Sequence, residues 1–213
     1  VTVKCRLGVD EMDQFNDLVR FVETVAAAGC KVFIIHARKA WLSGLSPRQN
    51  REIPPLQYDR VYALKERYPE FTIIINGGIT RIDEAAVHLE RVDGVMVGRE
   101  AYQNPWSLAE VDQVLFDDAP NYQSRFDVLE NYKTYMRAEL NKGVPLKRLA
   151  RHLLGLFQGQ PGARIWRRVL SEAAFRPGAD LTAIEIAQSR LDTVRRGHQG
   201  TSTASEPGLE IRP

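Results

Sequence analysis

Cysteine is scarce: only Cys5 and Cys30 occur in 213 residues, neither in a CxxC pair nor with a histidine at metal-ligand spacing. That excludes a disulfide framework and a zinc site, and makes the cytoplasm the expected compartment. No apolar run approaches the roughly 20 residues of a membrane span, and no signal-peptide pattern precedes the first element. An excess of one charge is lacking too, since 29 basic and 27 acidic residues leave a formal +2. The overall balance therefore points to no partner. No strand is followed by a GxGxxG turn and no GxxxxGK[ST] loop occurs, which weakens a doubly wound nucleotide-binding sheet. There is no internal repeat beyond the strand-helix units. The chain does not begin with Met and enters directly into the β-branched stretch Val1-Thr2-Val3-Lys4, so the natural N-terminus is expected upstream.

What is present is ordinary for a globular protein, 44% hydrophobic and 26% charged, ample for a core. Two stretches organise it. Thr72-Ile73-Ile74-Ile75-Asn76-Gly77-Gly78-Ile79 and Gly94-Val95-Met96-Val97-Gly98-Arg99 each read as a buried strand running into a glycine turn. Continuous apolar runs of this kind suit a parallel sheet covered on both faces. Thr80 with Asp83 predicts a capping box, and Pro105 a helix start. Two neighbouring strand ends with glycine turns and Arg99 match the anion site of many (β/α)8 barrels.

Earlier in the chain, Phe15, Leu18, Val19, Val22 and Val25 have helical spacing, Gly29 stops that helix, and Val32-Phe33-Ile34-Ile35 is a second buried strand ending on His36. A long basic loop with Arg38, Lys39, Arg48 and Arg51 follows, then a helical period from Tyr58. Strands are expected at 1–4, 32–35, 72–76 and 94–97, with a helix at 83–89. This alternation predicts an α/β class, read as the second half of a (β/α)8 TIM barrel at residues 1–118. An open doubly wound sheet is the rival.

Helical periods then replace strands: Phe126, Leu129 and Tyr132 to Met136; Leu146, Leu149, Leu153, Leu154 and Phe157; Ile165, Val169 and Ala173. They predict a C-terminal helical bundle domain at 119–197, followed by a small, polar segment at 198–213 expected to be disordered. Between Pro145 and Arg176 stand seven Lys or Arg against the single acid Glu172, a candidate polyanion surface. Arg164, Arg167 and Arg168 share one helix face at i, i+3 and i+4, suited to backbone phosphates.

Barrel chemistry sits at the C-terminal ends of strands. Those positions hold Lys4 with Arg6, His36 with Arg38, Asn76 with Gly77 and Gly78, and Gly98 with Arg99. A lysine and a histidine beside a phosphate cradle suit an electron-rich ring system. Cys5 and Cys30 have no activating neighbour placed by sequence and read as small core residues.

The motifs Val1-Thr2-Val3-Lys4-Cys5-Arg6-Leu7-Gly8, Ile34-Ile35-His36-Ala37-Arg38-Lys39-Ala40-Trp41, Asn76-Gly77-Gly78-Ile79 and Gly94-Val95-Met96-Val97-Gly98-Arg99-Glu100-Ala101-Tyr102 together resemble the tRNA-dihydrouridine synthases of the A type. So does the run from Leu154 to Arg168, which is similar to their tRNA-recognition domain. The resemblance implies an FMN-bearing barrel that reduces the C5–C6 double bond of D-loop uridine, at positions 20 and 20a, with NADPH as reductant. It places Lys4, His36, Asn76, Gly77, Gly78, Gly98 and Arg99 at the FMN, and Arg48, Arg51, Arg164 and Arg167 at the tRNA. Arg6 and Arg38 are further candidates for the substrate pocket. From the residues themselves no metal and no membrane partner are expected, and the complete protein is expected to be a monomer. The proton donor of such enzymes is a cysteine in an Asn-x-x-Cys-Pro loop after an earlier strand, and this sequence contains no Cys-Pro. The first half of the barrel is expected to be missing with it, and the 213 residues alone to be inactive. Two rival readings are another phosphate-binding barrel acting on a small metabolite, flavin-dependent or a non-redox isomerase, and a tRNA-binding fragment without chemistry.

Overall fold

The computed structural model describes residues 1–202, so residues 203–213 of the expected tail lie outside the described residues. The chain divides into two compact units, Val1–Ala101 with Glu110–Ala119, and Tyr102–Ala109 with the residues from Pro120 onward.

The first unit is built on β1 (Thr2–Arg6), β2 (Val32–His36), β3 (Thr72–Asn76) and β4 (Gly94–Met96), all parallel and in the order β1-β2-β3-β4. β1 runs two residues further than expected because its ladder with β2 continues to the pair Arg6–His36. Between the strands lie α1 (Phe15–Ala27), α2 (Tyr58–Arg67) and α3 (Ile82–Leu89). Gly29 ends α1 as expected, at φ +95° with its N–H on the Ala26 carbonyl. The start of α3 differs from expectation. Arg81 rather than Thr80 is the residue before the first helical turn, and the Asp83 carboxylate is taken up by the Arg81 guanidinium and the Glu84 N–H.

Side chains alternate across the sheet. Phe33, Ile35, Ile73 and Ile75 are fully buried in one core with Leu18, Val19 and Val22 of α1, Val61, Tyr62 and Leu64 of α2, and Ala85 of α3. The opposite face carries Lys4, Val32, Ile34, Thr72 and Ile74, which are exposed or only half-buried. A sheet covered on both faces was the expectation from the apolar runs; in this unit the helices cover one. Parallel connections between sequential neighbours wind with one hand, so every crossover helix arrives on the same side.

The short α4 (Arg99–Gln103) straddles the boundary between the units, and α5 (Val111–Phe116) belongs to the first, where it packs on α3. The segment Tyr102–Ala109, with Pro105 opening a 3-10 turn at Pro105–Leu108, falls with the second unit rather than within the expected domain 1–118. Its packing explains why. A Cβ on Gly155 would come within 1.9 Å of the Gln103 carbonyl oxygen, and the Arg125 guanidinium lies 4.9 Å over the Trp106 ring.

The rest of the second unit is α6 (Arg125–Asn141), α7 (Leu146–Ala150), α8 (Ala163–Ala173) and α9 (Thr182–Ser202). α9 continues past residue 197 into the segment expected to be disordered. The Ser124 hydroxyl caps α6 by accepting from the Asp127 N–H. Leu129, Met136, Leu149, Phe157, Trp166, Leu170, Ile184 and Leu191 form the core. On α8 the buried positions are Trp166 and Leu170, whereas Ile165, Val169 and Ala173 are only half-buried. The Trp166 indole settles the helix rotation: its N–H donates to the Leu153 carbonyl at 2.8 Å inside the core.

Candidate functional site

The ladders bring Arg6, His36 and Asn76 into one row across three strand ends, with Met96 of β4 paired to Asn76. Lys4 lies two residues before Arg6 on the same face of β1. This is the face that the three helices leave uncovered.

His36 is the electrostatic centre of the row. Burial first, then the positive charges of Arg6, Lys4, Arg38 and Arg99, push its pKa down to about 4, so it is neutral at pH 7. Its Nδ1 is buried and meets no protein hydrogen-bond partner among the described residues. Lys4 is lowered by burial and by Arg6, and Arg6 by burial, Arg38 and Arg51. Crowded cations that disfavour one another's charge gain from an anion or an electron-rich acceptor placed among them.

The turn beyond β3 is rigidly held. Gly77 and Gly78 sit at φ +116° and +74°, which side chains rarely adopt. A Cβ on Gly78 would stand 2.6 Å from Leu56 Cδ1 and 3.1 Å from the Tyr58 hydroxyl; one on Gly77 would stand 3.3 Å from the His36 ring. The Tyr58 hydroxyl donates to the Gly77 carbonyl at 2.7 Å, Ala37 N–H to the Asn76 carbonyl at 2.8 Å, and the Asn76 side-chain amide to the Met96 carbonyl at 2.7 Å. The second glycine turn differs. Gly98 has no left-handed backbone, and a Cβ there would have open space, with Asn76 Nδ2 nearest at 4.0 Å.

The long loop after β2 folds back over these strand ends. Arg6 donates to the carbonyls of Lys39 (2.9 Å) and Asn50 (2.7 Å), and Arg38 to those of Glu52 and Pro54. Both arginines offered as substrate-pocket candidates are thus spent on bracing the loop. Asn50 closes it further by pairing with the backbone N–H and carbonyl of Trp41. Glu52 meets Arg99 at 3.2 Å and Arg48 at 3.4 Å. Arg48 and Arg51 are exposed on the 3-10 turn Gln49–Arg51 and its preceding residue.

Neither cysteine reaches the row. Cys5 alternates to the other face of β1 and burial pushes its thiol up to about 11. Cys30 lies before β2, at the far end of the strands, against the carbonyls of Val1 and Val32. In the second unit, Arg164 and Arg167 are exposed on the first turns of α8 and line a hollow with Gln158, Gly159 and Gln160. Arg167 donates to the Gln158 side chain at 2.7 Å.

Sequence reasoning missed Tyr58, Leu56 and Glu52. Tyr58 reads only as the start of a helical period, and nothing in the local pattern singles out Leu56 or Glu52. Among the described residues, no group of three or more His, Cys, Asp or Glu could hold a metal ion, and no helix is long and apolar enough to cross a membrane.

Residues 1–191 match the profile of the family described as dihydrouridine synthase. Curated relatives carry the name tRNA-dihydrouridine(20/20a) synthase. That of Shewanella oneidensis is 55% identical over 193 residues, covering 91% of this chain and 58% of the relative. That of Vibrio cholerae is 52% identical over 192 residues, 90% of this chain and 59% of the relative. The Escherichia coli K12 protein is 54% identical over 188 residues, 88% of this chain and 54% of the relative. The chain thus spans between half and three-fifths of the length of these relatives.

Proposed function

Because the chain belongs to the dihydrouridine synthase family of the A type, we propose that it is the flavin-holding and tRNA-gripping part of an enzyme that reduces the C5–C6 double bond of D-loop uridine at positions 20 and 20a. The relatives' names supply the two positions. One observation carries the reading: a neutral His36 with an unpartnered buried Nδ1, set among Lys4, Arg6, Arg38 and Arg99 beside a double-glycine turn. The sequential strand order, with helices on one face, supports reading the first unit as half of a (β/α)8 barrel, and the second unit as the helical tRNA-recognition bundle.

The residues present fit FMN. His36 Nδ1 is an orphaned polar atom, Lys4 and Arg99 supply positive charge, and the backbone of Gly77 and Gly78 is held beside His36 by Leu56 and the Tyr58 hydroxyl. Asn76 and Gly98 complete the proposed set, Asn76 by tying the ends of β3 and β4 together. FMN supplies hydride chemistry when bound, with NADPH as the source of electrons. The chain's own residues do the rest: Lys4 and the guanidinium groups around His36 favour an electron-rich ring, while Arg48 and Arg51 on the loop and Arg164 and Arg167 on α8 take tRNA phosphates. A uridine must leave its stack to be reduced, so this phosphate grip has to offset the unstacking. Cys5 and Cys30 lie away from the row, so proton donation is assigned to no residue here, and these 213 residues alone are proposed to be inactive.

The test is to purify the protein from its complete reading frame, record its visible spectrum before and after NADPH, and read dihydrouridine in the D-loop. A yellow protein that NADPH bleaches and that modifies tRNA is the expected result. A colourless protein that leaves uridine intact overturns the proposal.

A further inference from the structure

The second unit carries an aromatic and basic patch made of residues to which no role was assigned above. Tyr102 and Tyr135 are each 50% exposed. Tyr102 forms an edge-to-face pair with the exposed His152, ring centroids 5.8 Å apart, and its hydroxyl accepts from Arg151 Nε at 3.2 Å. Tyr135 tilts against Tyr132 with centroids at 5.5 Å. The two pairs are neighbours: burial first, then Tyr135 and Tyr102, raise the Tyr132 phenol pKa. The Tyr132 hydroxyl donates to the Leu149 carbonyl at 3.3 Å, fastening α6 to α7 beneath the patch. Lys142 is taken up by the Glu139 carboxylate at 2.7 Å, which with the nearby Tyr135 phenol raises its pKa, so Arg151 is the cation on the Tyr102 ring pair.

Two half-exposed tyrosines beside a guanidinium put aromatic surface where a ligand can reach it, although aromatic rings normally bury most of their area. An edge-to-face pair leaves at least one face of each ring free. Rings held by packing and by Arg151 lose little freedom when something stacks on them. The guanidinium of Arg151 selects what that something is. A planar ring joined to a phosphate fits both features, whereas an apolar peptide would leave Arg151 without an acceptor for its charge. Unpaired bases of RNA are held in this way, on aromatic faces and guanidinium planes.

We propose that the Tyr102, Tyr135 and His152 patch is a stacking platform for an unpaired nucleotide of the RNA substrate, with Arg151 on its phosphate. The proposal rests on the tRNA reading given above and adds a contact beyond the phosphate grip of Arg164 and Arg167. It makes the patch sensitive to base exposure, and the arginine faces to backbone charge.

The test uses the full chain and unmodified tRNA, with affinity measured over a range of salt, and a fully paired RNA hairpin as comparison. Tyr102→Ala and Tyr135→Ala should weaken tRNA binding by about five- to a hundredfold while leaving the slope of log affinity against log salt unchanged. Tyr102→Phe and Tyr135→Trp should keep most of the affinity, which separates stacking from a folding defect. Arg151→Gln should lower the salt slope by about one. Binding of the paired hairpin should not respond to the tyrosine changes. If both alanine variants bind tRNA as the unchanged chain does, the platform is overturned and the tRNA reading stands. If the unchanged chain binds no tRNA at any salt, both fall together.

Discussion

Substituting Gly78 by alanine should destabilise the first unit far more than the same change at Gly29, although both glycines have positive φ. Gly29, at +95°, has nothing within 4 Å of an added Cβ. Its cost is conformational, about 1–2 kcal/mol, offset by about 0.4–1 kcal/mol because the unfolded chain loses freedom too. The net is about 1 kcal/mol. Gly78, at +74°, bears the same conformational cost and adds a collision with Leu56 Cδ1 at 2.6 Å and the Tyr58 hydroxyl at 3.1 Å. Overpacking of this kind costs about 1–3 kcal/mol, so the total is about 2–4 kcal/mol.

Hydrogen exchange of the β3 amides reads this unit directly, since its core strand opens with the unit. Exchange should quicken about fivefold in Gly29→Ala and about thirtyfold or more in Gly78→Ala, at about 1.4 kcal/mol per decade. Truncating the obstacle gives the internal control. In a Leu56→Ala background the added cost of Gly78→Ala should fall most of the way to the Gly29 level, the Tyr58 hydroxyl contact at 3.1 Å remaining. Equal exchange in the two glycine variants, or no relief from Leu56→Ala, refutes the steric account of the turn.

His36, with its folded pKa of about 4 below the ordinary 6.5, contributes stability that is complete above pH 6.5 and is lost as pH falls toward 4, because the unfolded chain takes up the proton first. His36→Asn should remove that component, and a difference in thermal midpoint between the two chains that stays flat from pH 7 to 4 would contradict it. Arg6→Ala removes two hydrogen bonds from a charged donor to the long loop, so trypsin should cut after Arg48 or Arg51 at least about tenfold faster; an unchanged rate means that the loop is held otherwise. Trp166→Phe strands the buried Leu153 carbonyl and leaves a gap beside Phe157, whose ring centroid lies 4.9 Å away. Urea unfolding of the helical unit should show a loss of about 2–4 kcal/mol, and one below about 1 kcal/mol would discount the indole hydrogen bond.

Local signals in the sequence were strongest where structure is decided locally. The bounds of β3 coincide with the expected 72–76 because an apolar run ending in two glycines leaves little choice. For β1 the local pattern stops at Lys4, since its last two residues are extended only through pairing with β2, a contact 30 residues away in sequence. On α8 the periodicity of Ile165 and Val169 and that of Trp166 and Leu170 are both helical. Only the Leu153 carbonyl, on another element, decides which faces the core. The same limit applies at the candidate site. Lys4, His36, Asn76 and the glycines were legible as strand ends, whereas Tyr58 and Glu52 act through a carbonyl and two guanidinium groups that only the fold brings to them.

The uncovered face of the sheet explains why the polar row is where it is. Four parallel strands in sequential order send every crossover helix to one side, so Phe33, Ile35, Ile73 and Ile75 are sealed and their neighbours are not. A doubly wound sheet reverses its strand order and covers both faces, which would place a ligand at the reversal point. No reversal occurs among these four strands, so the strand ends themselves are the positions proposed to face a ligand, and there the residues change from Ile34 and Ile74 to His36 and Asn76. Burial against only part of the surroundings is what lets four cations gather around one imidazole. With helices on both faces, Lys4 and Arg6 would need carboxylates to remain in place; on this face an anionic ligand can take that role.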